Sequence, residues 1–153
     1  MTCMKGVAVL AALIVLSGCS RSPEETERVG LEFRLAENEP GEGLTEMAMS
    51  RSGETFYLHD EVAIGNADIA SASATHWNGQ PAVEMVFTDP GREKLAEFTL
   101  AHVNRRVGML IDGELVYAPM IRAPILEGRA VIMGEFSERE AKRIAAGLVL
   151  PDP

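Results

Sequence analysis

The side chains that most often carry out chemistry in proteins are sparse in this sequence and lie far apart. Its three histidines are His59, His76 and His102, and none has another histidine or a cysteine two to four residues away. Because metal centres of these ligands need such close spacing, we expect no metal ion and no cofactor. We interpret each histidine as a surface or helix-capping residue.

Motifs of enzyme active sites are also missing from the sequence. It contains no G-x-S-x-G motif of a nucleophilic serine and no glycine-rich phosphate-binding pattern. With 23 Asp and Glu residues some carboxylates lie close together in any fold, so their spacing does not indicate glycoside hydrolysis. The chain is therefore predicted not to be an enzyme, and no small-molecule substrate is evident.

The charge balance excludes one large class of partner. Fourteen Lys and Arg residues stand against 23 Asp and Glu residues, which gives a formal net charge of −9. Proteins that bind nucleic acid need a basic field opposite the phosphate backbone. We therefore expect no nucleic-acid partner.

Two groups of residues leave a choice between binding and packing. Met47 and Met49 have the soft ligands that copper prefers, but we favour core filling. The second group surrounds Pro119 and is the candidate partner-contact surface, an apolar ledge with one basic residue beside it. Its members are Tyr117, Met120, Ile121 and Arg122. The alternative for the apolar members of this ledge is packing beneath the last helix.

The first residues have the pattern of an export signal. Lys5 precedes ten uninterrupted apolar residues at 7–16, half of the roughly 20 that a transmembrane helix needs. Residues 16–19, Leu-Ser-Gly-Cys, resemble the lipobox of bacterial lipoproteins, in which the signal is removed and the cysteine thiol receives a diacylglycerol. We predict a signal peptide at 1–18 and lipid attachment at Cys19. The alternative is an ordinary cleaved signal with an incidental cysteine.

The predicted anchor sets the domain organisation. Residues 19–30 are predicted to be the lipidated cysteine and a flexible tether, because SRSPEETERVG is too polar to pack. Residues 31–153 then form the domain, and they contain no cysteine. The prediction is a bacterial envelope lipoprotein that faces the periplasm and is held to a membrane through lipid on Cys19, with inner and outer membrane left open.

Apolar periodicity and turn residues predict the elements of the domain. Asn78-Gly79 and Asp112-Gly113 are pairs typical of tight hairpins. The predicted strands are residues 31–35, 55–58, 70–77, 82–88, 107–111, 115–120 and 130–133. On the strand at 82–88, the spacing places Val83, Met85 and Phe87 on one face.

Two helices follow from capping residues. Asp89 as N-cap and Pro90 after it predict a first helix that ends at Asn104 in the left-handed conformation. Ser137 and Glu140 form a capping box that opens a last helix to about residue 148. The predicted fold class is α+β, a largely antiparallel sheet with two main helices packed on one face. Its predicted core includes Phe87, Phe98, Ile111 and Phe136.

The order of landmarks along the domain resembles the head subdomain of the large periplasmic domain of SecD, an accessory subunit of the Sec protein-export machinery. The landmarks are Leu31-Glu32-Phe33-Arg34-Leu35, Gly65-Asn66-Ala67-Asp68-Ile69, Phe87, Gly91, Thr99, Asp112-Gly113, Ala118-Pro119, Ile121, Ile125, Gly128, Ile132, Gly134-Glu135-Phe136, Glu140-Ala141, Ala145 and Leu148. Departures from the family pattern occur at Leu95, His102, Asn104 and Tyr117. Among the landmarks, we expect Gly91 to allow close approach at a helix start.

The resemblance implies a binding domain that contacts exported polypeptides or the Sec translocon. SecD has transmembrane helices and, with SecF, couples proton movement to export, whereas this sequence resembles the head alone, so we expect no proton-coupled transport of its own. The alternative is a structural or assembly lipoprotein that binds one folded envelope partner and is unrelated to export. The sequence leaves the partner and the oligomeric state open.

Overall fold

The structure, a computed structural model, describes residues 26–149. The predicted signal peptide and Cys19 lie outside the described residues. The elements of the described part are β1 Leu31–Glu37, β2 Thr45–Ala48, β3 Thr55–Leu58, β4 Ile64–Gly65, β5 Ile69–Trp77, β6 Gln80–Phe87, α1 Asp89–Ala101, β7 Arg106–Ile111, β8 Glu114–Tyr117, β9 Arg129–Ile132 and α2 Glu138–Leu148.

The strands of residues 26–149 form two antiparallel sheets. The first has the order β2-β3-β1-β7-β8, with β4 also paired to β1, and the second has the order β5-β6-β9. Helix α2 packs across β5 and β6, and α1 packs against β4 and β6. The predicted antiparallel α+β fold with two helices is confirmed, and its strands divide between two sheets because β4 and the turn after it redirect the chain.

The first sheet curls until its two edges meet. The N–H of Ser50, just after β2, donates to the carbonyl of Leu115 in β8 over 2.9 Å. The curled sheet encloses a small apolar cluster of Ala36, Phe56, Leu58, Leu110, Leu115 and Ala118. Met47 and Met49 are partly buried against this cluster, which agrees with their interpretation as core-filling residues.

The main core lies where the two sheets and both helices face one another. Phe33 of β1, Met85 of β6, Leu95 of α1 and Leu148 of α2 are among its buried residues. The predicted inward residues of β6 are all buried, as are three of the four predicted core residues, whereas Phe98 is only partly buried.

Local turn and cap chemistry matches the predictions from the sequence closely, except at the two ends of α1. The N-cap of α1 is Thr88 rather than Asp89, because the Thr88 side chain accepts from the N–H of Gly91 at 3.1 Å. The Ser137 capping box is present as predicted. Asn104 has the predicted left-handed φ of 66°, but α1 ends earlier than predicted, at Ala101 with His102 as its C-cap, and Asn104 lies in the turn that follows.

The predicted extent of the tether, residues 19–30, also needs a correction. Val29 is completely buried, and its N–H donates to the carbonyl of Gly147 in α2 over 3.0 Å. A side-chain Cβ at Gly147 would stand 2.4 Å from Val29, so this contact depends on glycine. The packed part of the chain therefore begins before Leu31, because Val29 is apolar enough to join the core despite its polar neighbours.

Candidate functional site

The structure divides the predicted ledge among different environments. Ile121 is a correction: its side chain is only 5% exposed and belongs to the main core, because residues 119–121 pair with the chain around Arg105. Tyr117 and Met120 are half-buried, and Arg122 is exposed. Tyr117, Met120 and Arg122 therefore remain available at the surface, and Ile121 does not.

Tyr117 lies in an apolar cleft, which we call the Tyr117 cleft. It has a volume of about 190 Å³ and is lined by Met49, Val116, Tyr117 and Met133, with Arg51 and Glu135 at its polar side. The cleft therefore lies between β8, the loop after β2 and the loop after β9. It joins residues of both sheets.

A wider and more polar cleft adjoins it along α2, and we call this the α2 cleft. Its volume is about 510 Å³, and it shares Arg51, Val116 and Gly134 with the Tyr117 cleft. Glu140 and Arg143 of α2 line its far side. The two clefts together form one open groove beside β8.

A sharp bend of the backbone at residues 134–136 forms one edge of this groove. At Gly134 an added Cβ would lie 2.5 Å from the ring of Phe136, so glycine is needed where that ring turns back into the core. Phe136 itself is 7% exposed, and Glu135 between them takes a left-handed φ of 53°. The loop after β9 is therefore bent sharply at the edge of both clefts.

Charged pairs define the electrostatics of the groove. Arg51 donates through Nη2 to Oε1 of Glu140 at 2.7 Å, and Arg143 lies 3.7 Å from Oδ2 of Asp112. The hydrogen bonds of the Glu140 carboxylate with the backbone and hydroxyl of Ser137, together with Arg51, lower the pKa of Glu140. Burial raises the pKa of Tyr117, so its phenol stays neutral and can donate a hydrogen bond at neutral pH.

Sequence reasoning found Tyr117 but missed the rest of the groove. Arg51 and Glu140 are 89 residues apart in sequence, and no spacing rule relates them. Gly134 and Phe136 were recognised as landmarks of the resemblance, yet not as groove residues. The usable signal was the capping-box residue Glu140, whose second carboxylate oxygen is left to accept from another chain segment.

The three histidines each have a structural partner, as surface or capping residues do. His102 contacts the carbonyl of Phe98 through Nδ1 at 2.7 Å near the end of α1, and His76 contacts Glu138. His59 lies 3.0 Å from Oε1 of Glu37. Burial favours a raised pKa for Glu37, but its hydrogen bonds with His59 and Arg105 outweigh burial and lower it.

The described part of the chain has neither a cluster of metal-binding side chains nor a helix that could span a membrane. Between residues 26 and 149 no three His, Cys, Asp or Glu side chains are placed to hold a metal ion. No helix in the same range is long and apolar enough to cross a membrane.

The fold and the groove define an antiparallel α+β domain with an open, mixed apolar and charged groove at one sheet edge. Residues 43–149 match the family model described as SecDF, P1 head subdomain. The chain therefore belongs to the SecDF P1 head family, and the sequence resemblance to the SecD head is confirmed.

Curated relatives point to the same family. The chain is 31% identical over 112 residues to protein translocase subunit SecD of Acidaminococcus fermentans, which covers 69% of this chain and 27% of that protein. It is 32% identical over 133 residues to SecD of Aquifex aeolicus, covering 84% of this chain and 25% of the relative. The chain thus spans about a quarter of the length of these relatives.

Solved structures of SecDF share the fold. One, of a SecDF described as a membrane component that enhances protein export, superposes with a TM-score of 0.65 at 28% identity, over 81% of this chain and 63% of that chain. Another, of the translocon-associated SecDF of Thermus thermophilus, has a TM-score of 0.54 at 27% identity and covers 82% of this chain and 20% of the other.

Proposed function

We propose that this chain is a lipid-anchored binding protein of the bacterial cell envelope that contacts exported polypeptides on the periplasmic side. It acts as a binding module without enzymatic activity, cofactor or proton-coupled transport of its own. Family membership supports the link to export, because the related SecDF is a membrane component that enhances protein export.

The observation that carries the proposal is the Tyr117 cleft in a domain of this family. Met49 and Met133 line it together with Val116, and methionine adapts its shape to different neighbouring groups. A neutral Tyr117 phenol adds one hydrogen-bonding group. Such a small, mixed interface belongs to the weak and transient class, which suits a protein that must release what it binds.

The contact surface extends from the cleft along residues 117–122. Met120 and Arg122 are accessible beyond Tyr117, and Arg122 supplies a positive charge. The domain is otherwise acidic, with a formal net charge of −9 for the whole chain. We expect Arg122 to make this surface more tolerant of acidic peptide side chains than the rest of the acidic domain.

The anchor is the second part of the proposal. The lipobox-like residues 16–19 support acylation at Cys19, and two or more acyl chains hold a protein stably on a membrane. Anchoring would keep the domain at the surface across which exported chains emerge. Its partners are then the membrane through the lipid, and polypeptide or Sec components through the groove.

A photo-crosslinking amino acid at Tyr117, introduced into the full chain in cells, tests this function. We expect cross-links to many sequence-diverse exported proteins, and few from the same probe at Leu100, which is 66% exposed on α1. Cross-links to a single folded envelope protein would instead favour the assembly lipoprotein. Equal background at both positions would contradict peptide contact at the cleft.

A further inference from the structure

The two sheets protect their edges to very different degrees. Strands β2, β8 and β9 each have four residues, and β8 is also capped by the hydrogen bond from Ser50. Strand β5, the outer strand of the second sheet, has nine residues, IASASATHW, with no proline and no Asp, Glu, Lys or Arg. Long uncharged edges of this kind readily accept another strand.

The hairpin turn between β5 and β6 fixes which main-chain groups of β5 point outward. Asn78 and Gly79 have positive φ of 49° and 77°, the conformation of a two-residue type I′ turn. In such a hairpin the closing pair, Trp77 and Gln80, is hydrogen-bonded. Pro81 comes next at a non-bonded position, which suits a residue that has no N–H.

The alternation continues along the strand. Ala72, Ala74 and His76 stand opposite β6 residues at non-bonded positions, so their N–H and C=O groups face away from β6. The hydrogen bonds on the other side of β6 agree with this alternation. The N–H of Phe87 points away from β5 and donates to the carbonyl of Gly128, just before β9, over 3.0 Å. Six main-chain groups of β5 thus lie along the free edge.

These outward groups have no hydrogen-bond partner among residues 26–149. Ala72 and Ala74 carry only methyl side chains, which turn toward the core beneath α2. A second main chain can therefore approach the edge closely. The edge offers alternating donors and acceptors, the pattern that an extended strand complements.

We propose that β5 is a strand-pairing site at which an extended segment of polypeptide adds to the second sheet as a further strand. The proposal deepens the peptide-binding function and rests on it. Pairing through main-chain groups does not depend on side-chain identity, so it suits sequence-diverse segments without proline.

The charges beside the edge narrow the chemistry of the bound segment. Glu138 of α2 contacts His76 of β5, and Lys142 lies one helical turn further on the same side of α2. Lys142 is exposed, and Glu138, four residues before it on the same side of α2, offsets its charge. Because β5 itself has no charged residue, the site favours uncharged segments over strongly charged ones.

Hydrogen–deuterium exchange at single-amide resolution, on the full chain in mild detergent, tests the site. The probe is a short unstructured peptide of Ser, Thr, Val and Asp, with a twin that is N-methylated at alternate residues. At saturation, hydrogen exchange at the N–H groups of Ala72, Ala74 and His76 should slow by a factor of up to about five, because each N–H gains one hydrogen bond. Those of Ser73 and Thr75 already pair with β6 and should change little.

Two variants sharpen the test. Ala74→Pro removes an outward N–H without removing a bond to β6 and should abolish the protection at the edge. Ser73→Glu adds a negative charge on the exposed face of β5, which repels the Asp of the peptide, and should weaken binding several-fold even if the proline variant folds poorly. The N-methylated twin should fail to protect the edge of the unaltered chain.

The outcomes separate this site from the broader function. Peptide binding that perturbs only the Tyr117 cleft, with the twin peptide equally effective, would overturn strand pairing and leave the peptide-binding function standing. Absence of any peptide binding would overturn both. Protection of the same three amides without peptide, rising with protein concentration, would replace the peptide by a second copy of this chain.

Discussion

The side chain of Asn66 is hydrogen-bonded to the last turn of α2, where its Nδ2 donates to the carbonyl of Leu148 over 3.1 Å. The same Nδ2 donates to the carbonyl of Val29 at 2.8 Å, and Oδ1 accepts from the N–H of Leu31 at 2.8 Å. One amide therefore fastens the C-terminal end of α2 to the first strand. Asn66 is a residue of the fold, which explains its place in the landmark segment around residue 65.

Replacement of Asn66 by Ala should lower the free energy of unfolding by about 1–3 kcal/mol, because it leaves partly buried carbonyls without a donor. Chemical denaturation of the purified chain measures this. Asn66→Asp is the matched control for shape: it keeps the acceptor for Leu31 but faces two carbonyl oxygens with a carboxylate, so it should be at least as destabilising. An unchanged midpoint for both variants would contradict the role of this amide.

Gly91 should not tolerate a side chain. A Cβ there would lie 2.3 Å from the carbonyl oxygen of Asp68, which itself accepts from the N–H of Thr88 and cannot easily move. Gly91→Ala should therefore destabilise the protein by about 1–3 kcal/mol. Gly65→Ala is the control, because its Cβ would meet its nearest neighbour at an ordinary 3.7 Å. Equal melting temperatures for the two variants would show that the helix start is looser than the structure implies.

Phe87 should be a major contributor to the core. It is 6% exposed and packs edge-to-face against Phe33 with ring centroids 6.3 Å apart. Phe87→Ala should cost about 3–5 kcal/mol of unfolding free energy. Trp77→Ala, at a residue that is 49% exposed, should cost much less. A Phe87→Ala chain that melted with the parent would mean that the inward face of β6 is misassigned.

The features predicted correctly from the sequence are those set by neighbouring residues. Asn78-Gly79 requires positive φ at two successive positions, and Ser137 with Glu140 completes its hydrogen bonds within one helical turn. Such choices are made before any tertiary contact forms. Both hairpins and the start of α2 were therefore found close to their observed positions.

The features that were missed depend on contacts between distant segments. Strand β2 has no clear alternation and exists because it pairs with β3, and Val29 is buried only because Gly147 admits it. Ile121 and Tyr117 are both large apolar residues close to Pro119, so the local sequence does not distinguish them. The segment that contains Ile121 pairs beside β7, which buries Ile121, whereas Tyr117 lies in a cleft. The groove is missed for the same reason, since its walls come from four separate stretches of chain.

Acylation at Cys19 is a prediction about residues outside the described part of the chain. Cys3 lies within the predicted signal, so Cys19 would be the one thiol of the processed protein. Metabolic labelling with a fatty acid should be lost in Cys19→Ser, and the protein should leave the membrane fraction. Cys3→Ser is the matched control and should label normally. A Cys19→Ser chain that still takes up label and stays in the membrane would rule out this anchor.

Glu140 should make the stability of the domain depend on acid pH. Its pKa lies below the ordinary 4.5 because Ser137 and Arg51 hydrogen-bond to the carboxylate in the folded state. A group with a lowered folded pKa contributes stability above its unfolded pKa and loses that contribution as the pH falls through the folded value. The contribution should therefore be complete at neutral pH and disappear at pH values below 4.5.

Glu140→Gln isolates the charge, because glutamine can still complete the capping box with Ser137. Since the Arg51–Glu140 pair is exposed, the variant should lose no more than about 1 kcal/mol at neutral pH, and less at high salt.

The difference in unfolding free energy between the Glu140→Gln variant and the parent should shrink as the pH is lowered, because the parent carboxylate becomes protonated. Urea denaturation at a series of pH values measures this difference. Ser137→Ala removes the cap itself and should cost about 1 kcal/mol at neutral pH. Part of this cost should remain in acid, because the Ser137 hydroxyl accepts from the N–H of Glu140 whether or not the carboxylate is charged. A Glu140→Gln difference that stayed constant down to acid pH would mean that the charge of Glu140 contributes nothing and that packing alone accounts for its effect.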